Sequence, residues 1–200
     1  MRKSYKFISS TKIILATITL DLFAVLLGGA DTLIPVYARD ILRVGPAKYG
    51  WLQSATSAGV LAMALVLTHL PPFKRPGRTM LVAVAGFGLA TLLFGVSRTM
   101  PVALLALFLI GALDMISVVV RSSLVQTLTP REMQGRVSAV NSVFITTSNQ
   151  VGGFESGLLA QYTSPVFSVV FGGIGTLVTV LFTAIAWPSV RAYRADQAPD

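Results

Sequence analysis

Residues 101–128 read PVALLALFLIGALDMISVVVRSSLVQTL, and only Asp114 and Arg121 in that stretch carry charge. A hydrocarbon layer of about 30 Å is crossed by about 20 apolar residues in helical form. The run is long enough to do so. A helix is also the form that pairs every backbone N–H and C=O within one segment when no water is present. Five more stretches of similar character flank it, over residues 13–37, 47–70, 79–97, 135–161 and 164–187. The sequence therefore predicts an all-α, polytopic membrane protein with six transmembrane helices. A cytoplasmic segment 1–12 precedes the transmembrane domain 13–187, and a cytoplasmic tail 188–200 follows it. Arg2, Lys3 and Lys6 resemble the start of a signal peptide. The apolar run after them is too long for one, so it is read as a retained first span.

Composition agrees. Of the 200 residues 54% are hydrophobic and 12% charged, against about 25% charged in soluble domains. A soluble enzyme, a disordered chain and a secreted disulfide scaffold are excluded on that ground, and there is no cysteine. Proline marks the joints: Pro46, Pro101 and Pro165 stand at helix starts, where the missing N–H costs nothing. Pro71, Pro72, Pro76, Pro130 and Pro188 lie in or next to the connections.

The net charge of +8 would suggest a nucleic-acid partner in a soluble chain. Here the basic residues sit in short clusters between apolar runs, so no nucleic acid is expected. With six spans, Arg2, Lys3, Lys6, Lys12, Lys74, Arg75, Arg78, Arg131, Arg136, Arg191 and Arg194 fall on one side. Arg39, Arg43, Lys48 and Arg98 fall on the other. Basic loops stay inside, which predicts both termini in the cytoplasm and a plasma (bacterial inner) membrane location. Spans one to three and four to six read as two inverted three-helix repeats, a transporter pattern.

Asp21, Asp31, Asp114, Arg121 and Glu155 lie within apolar spans. A charge at mid-bilayer costs about 2.5–3.5 kcal/mol on insertion scales, so such groups face a cavity, pair with one another, or snorkel from a span end. Asp21, Asp31 and Arg121 leave the last option open. Asp114, nearest mid-span, is the foremost candidate for a proton-coupling or cavity role, with Glu155 next.

Small residues mark two other helices. Gly50, Ser54, Ala58 and Ala62 recur every four residues in span two. In span five, Ser138, Asn141, Ser142, Thr146, Asn149, Gly152, Gly153 and Ser156 form a small, polar stripe, and Gly153 and Gly157 add a small-xxx-small pair. Such stripes let helices approach closely in lipid. They suit packing within one bundle or an interface with another. No Walker loop, HExxH or GxSxG motif is present, so no enzymatic activity, cofactor or metal is expected.

The chain resembles the C-terminal six-helix half of a major facilitator superfamily transporter, on its enterobactin-exporter and macrolide-efflux-like branch. The resemblance rests on LDLFAVLLGGA (20–30), on the stretch 114–127 with VRSSLVQ (120–126), on GRVSAVN (135–141) and on GFESG (153–157). The loop Lys74-Arg75-Pro76-Gly77-Arg78 resembles the second copy of that superfamily's basic cytoplasmic motif, and Gly135-Arg136 its loop before the fifth helix of the half. There Gln134 stands where relatives often carry a basic residue.

The resemblance implies that spans one and four line a central cavity, two and five meet the other half, and three and six lie outside. It implies a secondary active, proton-coupled exporter of small amphipathic molecules working by alternating access. Such transporters have twelve helices, so the chain is expected to be a fragment or split protein. Its expected partners are the lipid bilayer, a small-molecule substrate, and either an N-terminal six-helix half or a second copy of itself. A non-transporting membrane scaffold or assembly partner is the alternative.

Overall fold

The computed structural model describes residues 19, 20, 22–24, 26, 27, 30–71, 73 and 75–187. Every described element is helical. We label them α1 (Ala30–Val36), α2 (Pro46–His69), α3 (Pro76–Val96), α4 (Met100–Leu128), α5 (Gln134–Tyr162) and α6 (Pro165–Ala186). Described residues from 19 to 27 are helical too. Asp21, Lys74, the segment 1–12 and the tail from 188 lie outside the described residues.

Local chemistry explains the ends. Proline occupies the first turn of α2, α3, α4 and α6. Ser164 caps α6 by accepting from the Phe167 N–H at 3.1 Å, satisfying one orphan donor of the first turn. Pro35 lies inside α1, where it removes a ladder bond and crowds the preceding turn. The coil then widens to a π-turn over Tyr37–Ile41. Arg43 takes a left-handed conformation, φ 51°, and reverses the chain toward α2.

Among the described residues four helices are long and apolar enough to cross a membrane: α2, α3, α4 (over Met100–Thr127) and α6. Helix α5 has the length, 29 residues, but its run of Ser, Thr, Asn and Gln keeps it below that threshold. The outward surface carries exposed aliphatics, among them Leu61, Val82, Leu89, Leu105, Leu181 and Ile185. In water such a surface would be an aggregation hazard; in a bilayer it is the solvated face. The protein is an all-helical, multi-pass membrane protein.

Helix α4 packs between α2 and α3, α3 packs in turn on α6, and α5 lies against α6 and α1. Glycine permits the closest crossings. A Cβ on Gly59 of α2 would run into the Phe108 carbonyl of α4, and one on Gly111 of α4 into the Thr56 carbonyl of α2. At the α3–α6 crossing the relation is reciprocal: a Cβ on Gly88 would lie 3.2 Å from the Gly173 carbonyl, and one on Gly173 3.1 Å from the Gly88 carbonyl. Without a hydrophobic drive between helices in lipid, this close backbone approach is a principal source of cohesion.

The buried side chains form two apolar clusters. One joins Leu33, Ile34, Tyr37, Phe94, Leu107 and Ile110. The other joins Leu20, Met80, Val84, Val120 and Leu124. Along α4, Asp114 and Ser117 fall between Ile110 of the first cluster and Val120 of the second.

Candidate functional site

That polar waist is the candidate site. Asp114 is half-buried on α4, and Asp31 is exposed at the first turn of α1. Arg121, two turns further along α4, is only 4% exposed and engaged with a partner. Glu155 is half-buried on α5, the helix that packs on α1 through Gly153 and on the helical turn before it through Gly152. A Cβ on Gly152 would come within 2.5 Å of the Leu26 carbonyl, and one on Gly153 within 2.8 Å of Thr32 Cγ2. The acids thus belong to α1, α4 and α5. Among the described residues no group of three or more His, Cys, Asp or Glu is arranged to hold a metal ion.

The small-residue stripes sit elsewhere. Ser54 and Ala58 of α2 are exposed and Gly50 and Ala62 half-buried, with nothing within 4 Å of where a Gly50 Cβ would lie. On α5, Asn149 and Gly157 are exposed, and Gly157 likewise faces open space. Asn141 is half-buried, and its Oδ1 has no hydrogen-bond partner among the described residues. The predicted stripe of α5 is therefore divided: Gly152, Gly153 and Ser156 pack within the bundle, as Gly59 and Gly111 do at the α2–α4 crossing, while Asn149 and Gly157, like Ser54 and Ala58 of α2, stay exposed among the described residues. In the loops Arg75, Arg78, Gly135 and Arg136 are exposed, and Gly77 is buried.

Sequence reasoning missed two arrangements. The Tyr37 hydroxyl donates to the Gly95 carbonyl at 2.8 Å, and its ring stacks on Phe94 with centroids 4.5 Å apart. This ties the π-turn after α1 to the last turn of α3. The aromatic at a span end was visible, but its partner lies 58 residues away. The second is Gln134, whose Nε2 donates to the Gln126 and Thr129 carbonyls at 3.1 and 3.3 Å. It satisfies orphan carbonyls at the end of α4, a task that a departure from the relatives' basic pattern did not suggest.

Comparison with known proteins places this bundle. The profile of the family described as transmembrane secretion effector matches residues 2–199. The chain is 30% identical over 190 residues to enterobactin exporter EntS of Shigella flexneri, covering 92% of this chain and 46% of that protein. Its identity to the enterobactin exporter EntS of Escherichia coli O1:K1 is 30% over 176 residues, 84% of this chain and 42% of the relative. For that of Salmonella choleraesuis it is 30% over 152 residues, 76% and 37%. The chain spans less than half the length of these relatives. No solved structure matches it significantly. The chain belongs to the transmembrane secretion effector family, an enterobactin-exporter-like branch of the major facilitator superfamily.

Proposed function

We propose that this chain is the C-terminal six-helix half of a secondary active, proton-coupled efflux transporter for small amphipathic molecules. The observation that carries the reading is that Asp114, half-buried in the middle of an apolar helix, stands with Ser117 between the two apolar clusters. A carboxyl is costly to keep charged at such a place. A cargo or conformational change that alters its surroundings can then take up or release a proton.

Architecture supports the same reading. The pairing of α2 with α4 has its counterpart in α5 with α1, and α3 meets α6 through matching glycines. Exchanging the first three helices for the last three carries these pairings into one another, in keeping with two inverted repeats, whereas the close α3–α4 packing has only a slight counterpart between α6 and α1. The uncovered small-residue faces of α2 and α5 suit a companion: an N-terminal six-helix half or a second copy of the chain. Such a companion would complete the cavity, and rocking about it would give alternating access. Both termini then lie in the cytoplasm, on the side of Arg75, Arg78, Gly135 and Arg136.

The test is co-expression with a family N-terminal half and measurement of gradient-driven export in inverted vesicles. Enterobactin is the first cargo to try, because the relatives export it by name. The chain with its companion should export only with a proton gradient. Asp114→Asn should lower that export at least about fivefold, the low end of typical coupling between two sites. Export indifferent to the gradient and to Asp114→Asn would remove proton coupling through this residue. Absence of export with any companion would favour a non-transporting scaffold.

A further inference from the structure

The basic loop leads into a feature that the transport reading does not use. Arg75 and Arg78 stand three residues apart at the start of α3, on the rim of a groove of about 300 Å³. Its walls are Val82 and Ala83 of α3 and Leu113 and Ile116 of α4. Both arginines are exposed, and neither is ion-paired among the described residues. Neither Asp31, Asp114 nor Glu155 lines the groove. Val82 is 64% exposed, so the groove opens to the outer surface of the bundle. A second cavity of about 400 Å³, lined by Leu67, Leu70, Phe73 and Leu124, adjoins the same helix start at Pro76.

We propose that this groove binds an anionic phospholipid. Two guanidiniums on the rim of one groove offer forked donors to phosphate oxygens. Beyond Thr79 the lining turns apolar, with Val82, Ala83, Leu113 and Ile116 to receive the start of an acyl chain. Free phosphate would meet the arginines but leave the apolar wall unused. A zwitterionic lipid would cover the wall but bring no net charge to a chain of +8. The proposal rests on the membrane reading of α3 and α4 and is independent of proton coupling.

The experiment is native mass spectrometry of the full chain purified in detergent, titrated with phosphatidylglycerol or with phosphatidylcholine of the same acyl chains. Phosphatidylglycerol should be retained in preference. Each arginine near an anionic lipid surface contributes about fivefold, so R75Q/R78Q should weaken phosphatidylglycerol retention about 25-fold and leave phosphatidylcholine nearly unchanged. Val82→Trp, which fills the groove, should reduce retention of both. R75K/R78K keeps the charge but loses the forked donors and should keep only part of the preference; Val82→Trp decides the question if the glutamine variant does not fold. Millimolar inorganic phosphate should not displace the lipid. Equal retention of the two lipids, indifference to R75Q/R78Q and Val82→Trp, or displacement by inorganic phosphate would each overturn the proposal.

Discussion

Helices α2 and α3 use small residues in opposite ways. In α3, Gly88 and Gly95 are filled against α6, where Leu177, Gly173 and Val170 leave no room for a methyl group. In α2, Gly59 is filled against α4, yet Gly50, Ser54 and Ala58 on neighbouring faces meet nothing. The difference separates small residues that close this bundle from those that await another. In lipid the second kind has no benefit within the chain, since a larger side chain would pack as well against acyl chains. Its presence is understandable if a second bundle lies there.

The comparison can be broken at its strongest point first. Gly59→Leu or Gly111→Leu drives a side chain into a facing backbone carbonyl, and overpacking of this kind costs about 3 kcal/mol or more. The expected result is loss of the folded bundle in a detergent-denaturation titration. A variant unfolding like the parent would mean that α2 and α4 do not meet there. Next comes Tyr37→Phe, which deprives the Gly95 carbonyl of its buried donor. It should destabilise by about 1–2 kcal/mol, read in the same titration, with no change expected if the π-turn is held by stacking alone. Gly88→Ala should cost about as much or slightly less, because Leu177 can shift by a few tenths of an ångström while the Gly173 carbonyl cannot.

The open faces should behave in reverse. Gly50→Ala or Gly157→Ala should leave the isolated chain unchanged or stabilise it by about 0.5–1 kcal/mol, since a helical glycine costs that much relative to alanine. Ser54→Leu and Gly157→Leu should abolish capture of a companion half in pull-down while leaving the lone chain folded. Capture unaffected by both would close the comparison against us. The smallest effect belongs to the Arg39–Asp40 pair at 2.7 Å, fully in solvent. The hydrogen bond from Arg39 holds the Asp40 carboxyl below its ordinary range. Its contribution is therefore present above the unfolded carboxyl's pKa and lost as pH falls through the folded one. Asp40→Asn should remove only that weak acid-side dependence.

Much of the fold could be read from the residues. Length and polarity of the apolar runs gave an all-helical membrane protein, and Pro46, Pro101 and Pro165 marked helix starts, whereas Pro76, read as part of a connection, opens α3. The acids drew notice because charge inside an apolar run is conspicuous. Which face of a helix meets which neighbour was harder. The every-fourth-residue stripe Gly50, Ser54, Ala58, Ala62 is regular, but the contact with α4 uses Gly59, one residue and about 100° around the helix from Ala58. Regular spacing announces a small face without saying what lies against it. The Tyr37–Gly95 tie and the role of Gln134 depend on three-dimensional proximity that local pattern does not encode. The π-turn needed both Pro35 and the packing of Tyr37 on Phe94.

The reciprocal crossing at Gly88 and Gly173 has a consequence for how such a sequence can drift. Each position is locked by the main chain of the other, so no replacement of one can be compensated by trimming its partner, which has nothing left to trim. The two sites therefore behave as a single inherited character: a lineage that leaves glycine at either must let the facing helix ease back by a few tenths of an ångström along its main chain.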